Sequence, residues 1–240
     1  MPDQILYLYG GDRYDCPWTH FHVTGQPWTS DAWVASDDRV RGGASQSYLS
    51  VESPQHARFH GHLDTTALGG AGFASQHSQG TLSLNLEEYE GIIVSIRGPD
   101  KADGKKYALT LKDEILPPGD DGREQSTVSW EAEFVAKKPG DVKLRWADFK
   151  PTYRGREKKD AGELDLADIK RIGLMMRSFF GEQEGDFELH LFSISAFKHV
   201  PYETDSVDGD EKQHLEARHE GSEERAGKGT WWKSLLCGLV

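Results

Sequence analysis

Two histidines at alternate positions are the first residues in this sequence that could bind a metal ion. His60 and His62 flank a glycine, so in a β-strand both imidazoles point to the same face. A zinc site needs three or four protein ligands. His56 and His77 lie nearby, but no cysteine or cluster of carboxylates completes a set. We therefore expect these histidines to face solvent, and we predict neither a metal site nor a cofactor.

Carboxylates and nucleophiles are not spaced as catalytic groups usually are. Glu87 and Glu88 are adjacent, as are Asp120 and Asp121, and adjacent side chains of a strand point to opposite faces. Neither pair can act as the acid and base of a glycosidase as it stands, although the fold could bring distant carboxylates together. The sequence also lacks the nucleophile elbow, the phosphate loop and the dinucleotide fingerprint. We predict a protein that is not an enzyme.

Two polar segments are candidates for binding rather than catalysis. Their residues are Ser36, Asp37, Asp38, Gly42, Gly43, Tyr153, Arg154 and Arg156. The first segment also has a structural interpretation, because aspartates bond their own backbone and glycines permit positive φ. Guanidinium groups bind carboxylates through two hydrogen bonds, so the arginines would either recognise a partner or pair internally. We predict that Arg154 or Arg156 pairs with Asp37 or Asp38, and a wide separation would favour partner recognition.

Composition excludes several classes of partner. The chain has 240 residues, with 40 acidic and 28 basic residues and a net charge of −12. This charge argues against nucleic acid, whose phosphates need clustered lysine and arginine. Only two cysteines are present, near opposite ends of the chain, which indicates a reducing compartment and no disulfide framework. The first 18 residues lack the features of a transit peptide or a secretory signal.

Alternating apolar and polar residues between positions 48 and 196 predict an all-β fold made of short strands. The expected inward-facing side chains are Leu109, Trp130, Phe134, Phe187 and Leu189, with Glu131 and Glu133 in water. Turns rich in glycine, proline and aspartate separate the strands. One short helix is predicted over 160–171, where Leu164, Leu166 and Ile169 follow acidic residues. Many strands with little helix indicate a β-sandwich.

Seven short motifs then occur in a fixed order. They begin with Ser-Asp-Asp and Gly-Gly in 33–47, followed by Phe-His-Gly (59–61), Gly-Gly-Ala-Gly-Phe-Ala-Ser (69–75), Asp-Gly-Lys-Lys-Tyr (103–107), Asp-Phe-Lys-Pro-Thr-Tyr-Arg-Gly-Arg (148–156), Ile-Lys-Arg-Ile-Gly-Leu-Met (169–175) and Gly-Asp-Phe-Glu-Leu (185–189). Together the motifs resemble the complex I intermediate-associated protein family, and the resemblance covers about 28–197.

This resemblance implies a galactose-binding-like jelly-roll β-sandwich. It also implies a non-catalytic assembly factor, or chaperone-like binding protein, for mitochondrial respiratory complex I. The partners would be assembly intermediates or other assembly factors. Two departures from the family are the missing transit segment and Arg145-Trp146 in place of Pro-Phe. The alternatives are a cytosolic or membrane-anchored paralogue with another protein partner, or a carbohydrate-binding module that uses exposed tryptophans.

The sequence predicts four parts: an N-terminal extension (1–17), the jelly-roll domain (18–199), an acidic flexible linker (200–230) and an apolar tail (231–240). The residues of the tail that would attach it are Trp231, Trp232, Leu235, Leu236 and Cys237. As a helix, the tail would present an apolar face suited to peripheral contact with a membrane interface. Its last four residues loosely match a prenylation motif. The alternative is a tail that packs on the domain or on a partner.

Overall fold

The computed structural model describes residues 3–11, 25–98, 102–120 and 122–199. Their thirteen strands are β1 Asp3–Gly10, β2 Trp33–Ala35, β3 Gln46–Ser53, β4 His56–Leu63, β5 Phe73–Ser78, β6 Gly91–Ile96, β7 Lys106–Lys112, β8 Ser129–Val135, β9 Gly140–Arg145, β10 Lys150–Tyr153, β11 Arg156–Glu157, β12 Arg171–Arg177 and β13 Gly185–His199. Helical structure in this part of the chain is limited to 3-10 turns at Ser30–Ala32, Asp38–Arg41 and Trp146–Asp148.

Two antiparallel sheets form the fold. One has the order β3-β4-β13-β6-β9, with β1 also paired to β13. The other has the order β11-β10-β8-β7-β12-β5-β2. Aromatic side chains meet between the sheets: the ring of Tyr107 lies 6.1 Å from that of Phe59 and 6.2 Å from that of Phe187. The predicted all-β fold class, a β-sandwich, is confirmed.

The long strand β13 organises the six-stranded sheet. Its first half pairs with β4, from Gly185 opposite Leu63 to Leu191 opposite Ala57. Its second half pairs with β1 and also with β6. All three pairings are antiparallel. The pairing of β1 with β13 places Asp3 opposite His199.

The core follows the predicted alternation. Leu109, Trp130, Phe134, Phe187 and Leu189 are all buried, which confirms the inward phase assigned to their strands. Glu131 was expected in water, and this prediction is wrong. Only 5% of Glu131 is exposed, because Arg177 from β12 and Thr152 from β10 cover and bond its carboxylate.

The helix predicted over 160–171 is also wrong. The segment instead contains turns at 159–160 and 166–167 and an isolated β-bridge between Leu84 and Ile169. The backbone N–H of Leu86 donates to the carbonyl of Leu166, and that of Ile169 donates to the carbonyl of Leu84. Leu164 and Leu166 pack partly buried against the core and Ile169 is fully buried. Backbone hydrogen bonds to residues 84 and 86 therefore replace the i to i+4 bonds of a helix.

The predicted boundary at residue 18 needs correction as well. Asp3–Gly10 is a strand of the six-stranded sheet, and its Leu8 and Tyr9 side chains are buried in the core. Residues 3–10 thus belong to the β-sandwich rather than to an extension. The predicted linker (200–230) and apolar tail (231–240) lie outside the described residues.

Candidate functional site

Asp37 and Asp38 hold together the first and third sequence motifs. Asp38 is fully buried, and its carboxylate accepts hydrogen bonds from the N–H and hydroxyl of Ser45 at 3.0 and 2.7 Å and from the N–H of Phe73 at 3.0 Å. Asp37 accepts matching bonds from Ser47 (N–H and hydroxyl) and from the N–H of Ser75. A buried carboxylate needs such donors, so both aspartates have a structural role.

Gly42 and Gly43 allow the backbone conformation and the close approach that the buried Asp38 requires. Gly42 has φ 86°, the left-handed conformation that glycine adopts without strain. A Cβ at Gly43 would lie 2.2 Å from the Asp38 carboxylate, so only glycine leaves room for that side chain. Ser36 is exposed and its carbonyl accepts a hydrogen bond from the Ser75 hydroxyl.

The predicted ion pair between the arginines and these aspartates is wrong. Asp37 and Asp38 follow β2 at one edge of the seven-stranded sheet, whereas Arg154 and Arg156 flank the turn between β10 and β11 at the other edge. Four strands separate β10 from β2, a distance of roughly 24 Å at the usual strand spacing. The aspartate motif and the arginine motif therefore lie near opposite edges of the seven-stranded sheet.

The turn between β10 and β11, which we call the arginine hairpin (residues 150–159), presents positive charge at the sheet edge. Tyr153 pairs with Arg156 across a two-residue loop, in which Arg154 has φ 52° and Gly155 has φ 78°. Two positive φ values match the tight hairpin turns that fit the twist of the strands. Five residues of 150–159 are basic and one is acidic, so the hairpin is cationic on an acidic protein.

The guanidinium groups of the hairpin are exposed. Arg154 lies over the Tyr153 ring, with its Cζ 5.5 Å from the ring centroid, and its Nε donates to the Ser126 hydroxyl at 3.2 Å. Within the described ranges neither Arg154 nor Arg156 forms an ion pair with a carboxylate. The aromatic stack and the Ser126 contact fix the position of one charge without neutralising it.

The other family motifs with polar groups are used internally. Asp103 accepts hydrogen bonds from the Tyr107 hydroxyl and from the N–H of Glu188. Burial, and then the Asp103 carboxylate, raise the pKa of Tyr107 above its ordinary range. The buried Ser178 hydroxyl accepts from the N–H of Gly72 and donates to the carbonyl of Gly70. These hydrogen bonds connect turns to neighbouring strands.

A cleft of about 590 Å³ lies beside β8 and β9, and charged groups line it. Arg177 bonds the buried Glu131 carboxylate at 2.7 Å and also contacts Glu133. The Thr152 hydroxyl donates to Glu131 at 2.6 Å. Because these groups satisfy one another, Glu131 is not available as a general acid or base.

The histidines predicted to face solvent lie on the outer face of the six-stranded sheet. His62 is more than half exposed and lies 2.7 Å from Asp186. His60 contacts the Ser50 hydroxyl at 2.8 Å, and partial burial together with the charge of Arg58 lowers its pKa. His77 is instead on β5 of the other sheet, so it does not join them.

A different histidine pair escaped the sequence analysis. His56 and His190 come from β4 and β13 and lie 134 positions apart, yet His56 Nε2 is 3.1 Å from His190 Nδ1. Glu52 of β3 completes a group whose ligand atoms lie within 4.8 Å of one another. Only knowledge of which strands pair could have revealed this group.

The tryptophans do not form an exposed platform in the described part of the chain. Trp28 and Trp33 are buried around Tyr9, at ring distances of 5.5 and 5.0 Å. Trp130 is buried, and the partly buried Trp146 donates from Nε1 to the carbonyl of Tyr89. Trp18 lies outside the described residues.

The tail residues Trp231, Trp232, Leu235, Leu236 and Cys237 also lie outside the described residues. Among the residues that are described, no helix is long and apolar enough to cross a bilayer.

Two solved structures show a distant similarity to this one. A family 11 carbohydrate-binding module from Clostridium thermocellum, solved with a β-1,3-1,4-mixed-linked tetrasaccharide, is 12% identical, with a TM-score of 0.47 over 74% of this chain and 97% of that one. The Emp47p carbohydrate recognition domain is 9% identical, with a TM-score of 0.30 over 71% and 90% of the two chains.

Sequence comparison identifies the family. An uncharacterized protein of Schizosaccharomyces pombe (strain 972) is 41% identical over 218 residues, which cover 86% of this chain and 96% of that protein. The family model described as complex I intermediate-associated protein 30 matches residues 21–191, the region that holds all seven motifs. This chain belongs to the complex I intermediate-associated protein 30 family.

Proposed function

We propose that this protein is a non-catalytic assembly factor that binds protein intermediates of mitochondrial respiratory complex I, and that the arginine hairpin contacts them. Family membership supports an assembly-related role. The hairpin is the part of the fold that best suits recognition of another protein.

The assignment of the partner contact to the arginine hairpin rests on one observation. Among the charged residues of the family motifs, Asp37, Asp38 and Asp103 accept several internal hydrogen bonds each. Arg154 and Arg156 are exposed and have no carboxylate partner among the described residues. Positive charges that no carboxylate in the described part of the chain neutralises are available to a partner protein.

The geometry favours binding of carboxylates. A guanidinium group binds a carboxylate through two parallel hydrogen bonds. The tight turn and the stack on Tyr153 limit the freedom of the Arg154 side chain, so less conformational entropy is lost on binding. We therefore expect an acidic segment of the partner to contact Arg154 and Arg156.

The proposed function includes no catalytic step. The buried Glu131 is held by Arg177 and Thr152, and the adjacent acidic pairs remain unsuited to acid–base catalysis. A scaffold of two packed sheets that presents a fixed charged turn matches the task of holding an intermediate rather than converting it.

The test reverses the charge of the hairpin. A double variant, Arg154→Glu with Arg156→Glu, replaces the endogenous protein, and complex I subunits that co-purify are quantified. The matched control is Lys137→Glu with Lys138→Glu, which makes the same charge change at exposed residues beyond the other end of β8. We expect capture to fall more than tenfold in the first variant only, about 1.4 kcal/mol or more.

Two outcomes would contradict different parts of the proposal. If the unmodified protein captures no complex I subunits, the assembly role is wrong. If it captures them and the hairpin variant captures them equally, the role stands and the contact lies elsewhere on the molecule.

We also propose that the apolar tail attaches the protein to a membrane or to a partner. The support is its composition, because Trp231, Trp232, Leu235 and Leu236 follow an acidic segment that is poor in apolar residues. Tryptophan is favoured at membrane interfaces. A prenyl group on Cys237 would add a second anchoring element, and stable attachment usually needs two.

A further inference from the structure

Three neighbouring strands bring nitrogen and oxygen ligands together on the outer face of the six-stranded sheet. Glu52 lies on β3, His56 begins β4 and His190 lies in β13. One ligand atom from each lies within 4.8 Å of those of the other two. Two imidazoles and a carboxylate are a ligand set typical of Zn²⁺.

The spacing of the ring nitrogens fits a shared ion. His56 Nε2 and His190 Nδ1 are 3.1 Å apart. Two metal–nitrogen bonds of about 2.05 Å at a tetrahedral angle place the nitrogens roughly 3.3 Å apart. The rings therefore need to move by only about 0.2 Å to share an ion, within the tolerance expected of a metal site.

A carboxylate beside His190 favours the tautomer that the site requires. His190 Nε2 lies 2.5 Å from Glu188 Oε1, which favours a proton on Nε2 and leaves the Nδ1 lone pair directed at His56. His56 Nδ1 lies 3.0 Å from Glu52 Oε2, so the Glu52 carboxylate would turn from this contact to the ion when the ion binds.

The surrounding charge allows a divalent ion. Glu52 and Glu188 each carry a negative charge, and Arg58 lies 3.8 Å from the first and 3.2 Å from the second. Two carboxylates and one guanidinium leave one net negative charge around the neutral rings. A metal-bound histidine usually donates its other N–H to a carboxylate, which is the position of Glu188 relative to His190.

We propose that His56, His190 and Glu52 form a binding site for a divalent transition-metal ion, with Zn²⁺ as the best fit, and that Glu188 positions His190. Water would complete the coordination, since the site is open to solvent. The site lies on the other sheet from the arginine hairpin, so it is a property of the protein beyond its proposed partner contact. It departs from the prediction, made from the sequence, of no metal site.

The test measures Zn²⁺ binding to the untagged full-length chain after treatment with a chelator, by isothermal titration calorimetry. His56→Gln and His190→Gln remove ligands, and Glu188→Gln removes the outer carboxylate. The matched control is His62→Gln, because His62 lies on the same face and contacts Asp186 instead. Thermal melts in chelator verify that each variant folds.

We expect one high-affinity Zn²⁺ per chain. Glu188→Gln should weaken binding by about 10–100-fold, a usual cost of losing an outer-shell partner, and loss of either histidine should weaken it further. His62→Gln should leave the affinity unchanged. The proposal fails if the unmodified chain binds no Zn²⁺. It also fails if the His62 variant loses as much affinity as the His56 and His190 variants.

Discussion

The carboxylate of Asp38 accepts a hydrogen bond at 3.0 Å from the backbone N–H of Phe73, 35 positions further along the chain. Asp37 makes the equivalent contact with the N–H of Ser75 at 2.9 Å. Two adjacent aspartates thus bond alternate residues of β5, and the same carboxylates also bond Ser45 and Ser47 at the start of β3. They fix one loop to strands of both sheets.

The first prediction concerns the loss of this contact. Asp38→Asn replaces one carboxylate oxygen with an N–H₂ group, so a donor would face the buried donors of Ser45 or Phe73. We expect the free energy of unfolding to fall by roughly 2–4 kcal/mol, measured by urea denaturation. The exposed Asp31→Asn should change it by less than about 0.5 kcal/mol. An equally small effect at Asp38 would refute the structural role.

The second prediction concerns the aromatic core. Phe187 is 3% exposed and its ring lies 5.1 Å from that of Phe59. Phe187→Ala should lower the free energy of unfolding by about 3–5 kcal/mol, because it removes buried contacts and leaves a cavity. Val40→Ala is the control, since Val40 is 84% exposed. Similar denaturation midpoints for the two variants would show that the core differs from this description.

The third prediction concerns pH. Burial lowers the pKa of His77, and the charges of Arg171 and Lys112 lower it further. The unfolded chain, with an ordinary histidine pKa of about 6.5, then binds more protons than the folded one. Stability should therefore fall as pH falls through about 6.5, and this loss should end below the folded pKa.

Replacing the histidine tests this sign. His77→Gln should flatten the plot of unfolding free energy against pH between pH 7.5 and 5.5, by at most about 1.4 kcal/mol per pH unit. His62→Gln, on the other sheet, serves as the control. A steeper slope in the His77 variant would mean that the folded state favours the charged imidazole.

The fourth prediction concerns backbone strain at Phe180. This residue has φ 62° and is 92% exposed, so its ring contributes little packing to offset a left-handed conformation. That conformation costs about 1–2 kcal/mol for a residue other than glycine or asparagine. Phe180→Asn should raise the unfolding free energy by about 1 kcal/mol, measured by denaturation.

Phe180→Leu separates strain from the loss of the ring, because it removes the aromatic group and keeps the constrained backbone. We expect this variant to match the unmodified protein in stability. Should both variants lose stability equally, the ring itself would be the stabilising feature.

The fifth prediction concerns the C-terminal tail. Deletion of residues 231–240 should move the protein from the membrane or partner fraction to the free fraction, because the aromatic and leucine side chains are removed. Cys237→Ser should have a smaller effect, and intact mass would detect a prenyl group on the unmodified chain. If full-length protein and deletion variant fractionate alike and Cys237 is unmodified, the attachment proposal is wrong.

The strand phase could be predicted from the sequence because alternation is a local property. Leu109 and Phe187 repeat at every second position with their neighbours, and no knowledge of the partner strand is needed. The segment 160–171 was harder, since the spacing of Leu164, Leu166 and Ile169 is compatible with a short helix. Its backbone bonds to residues 84 and 86 take the place of helical hydrogen bonds.

Contacts between distant strands could not be predicted in this way. Glu131 is buried by Arg177, 46 positions away, and the alternation of β8 alone placed it in water. Likewise, His56 meets His190 only because β4 pairs with β13. The positions of β2 and β10 near opposite edges of the seven-stranded sheet, which separate Asp37 from Arg154, also depend on strand order.

The placement of β13 has a consequence for synthesis of the chain. Because β13 pairs with β1, β4 and β6, a nascent polypeptide that has not reached residue 185 exposes the edges of all three strands at once. Unpaired edges are sites of aggregation in incompletely folded chains. The ribosome must therefore complete almost the whole domain before β1 can pair with β13, and during that interval the open edges are accessible to other chains.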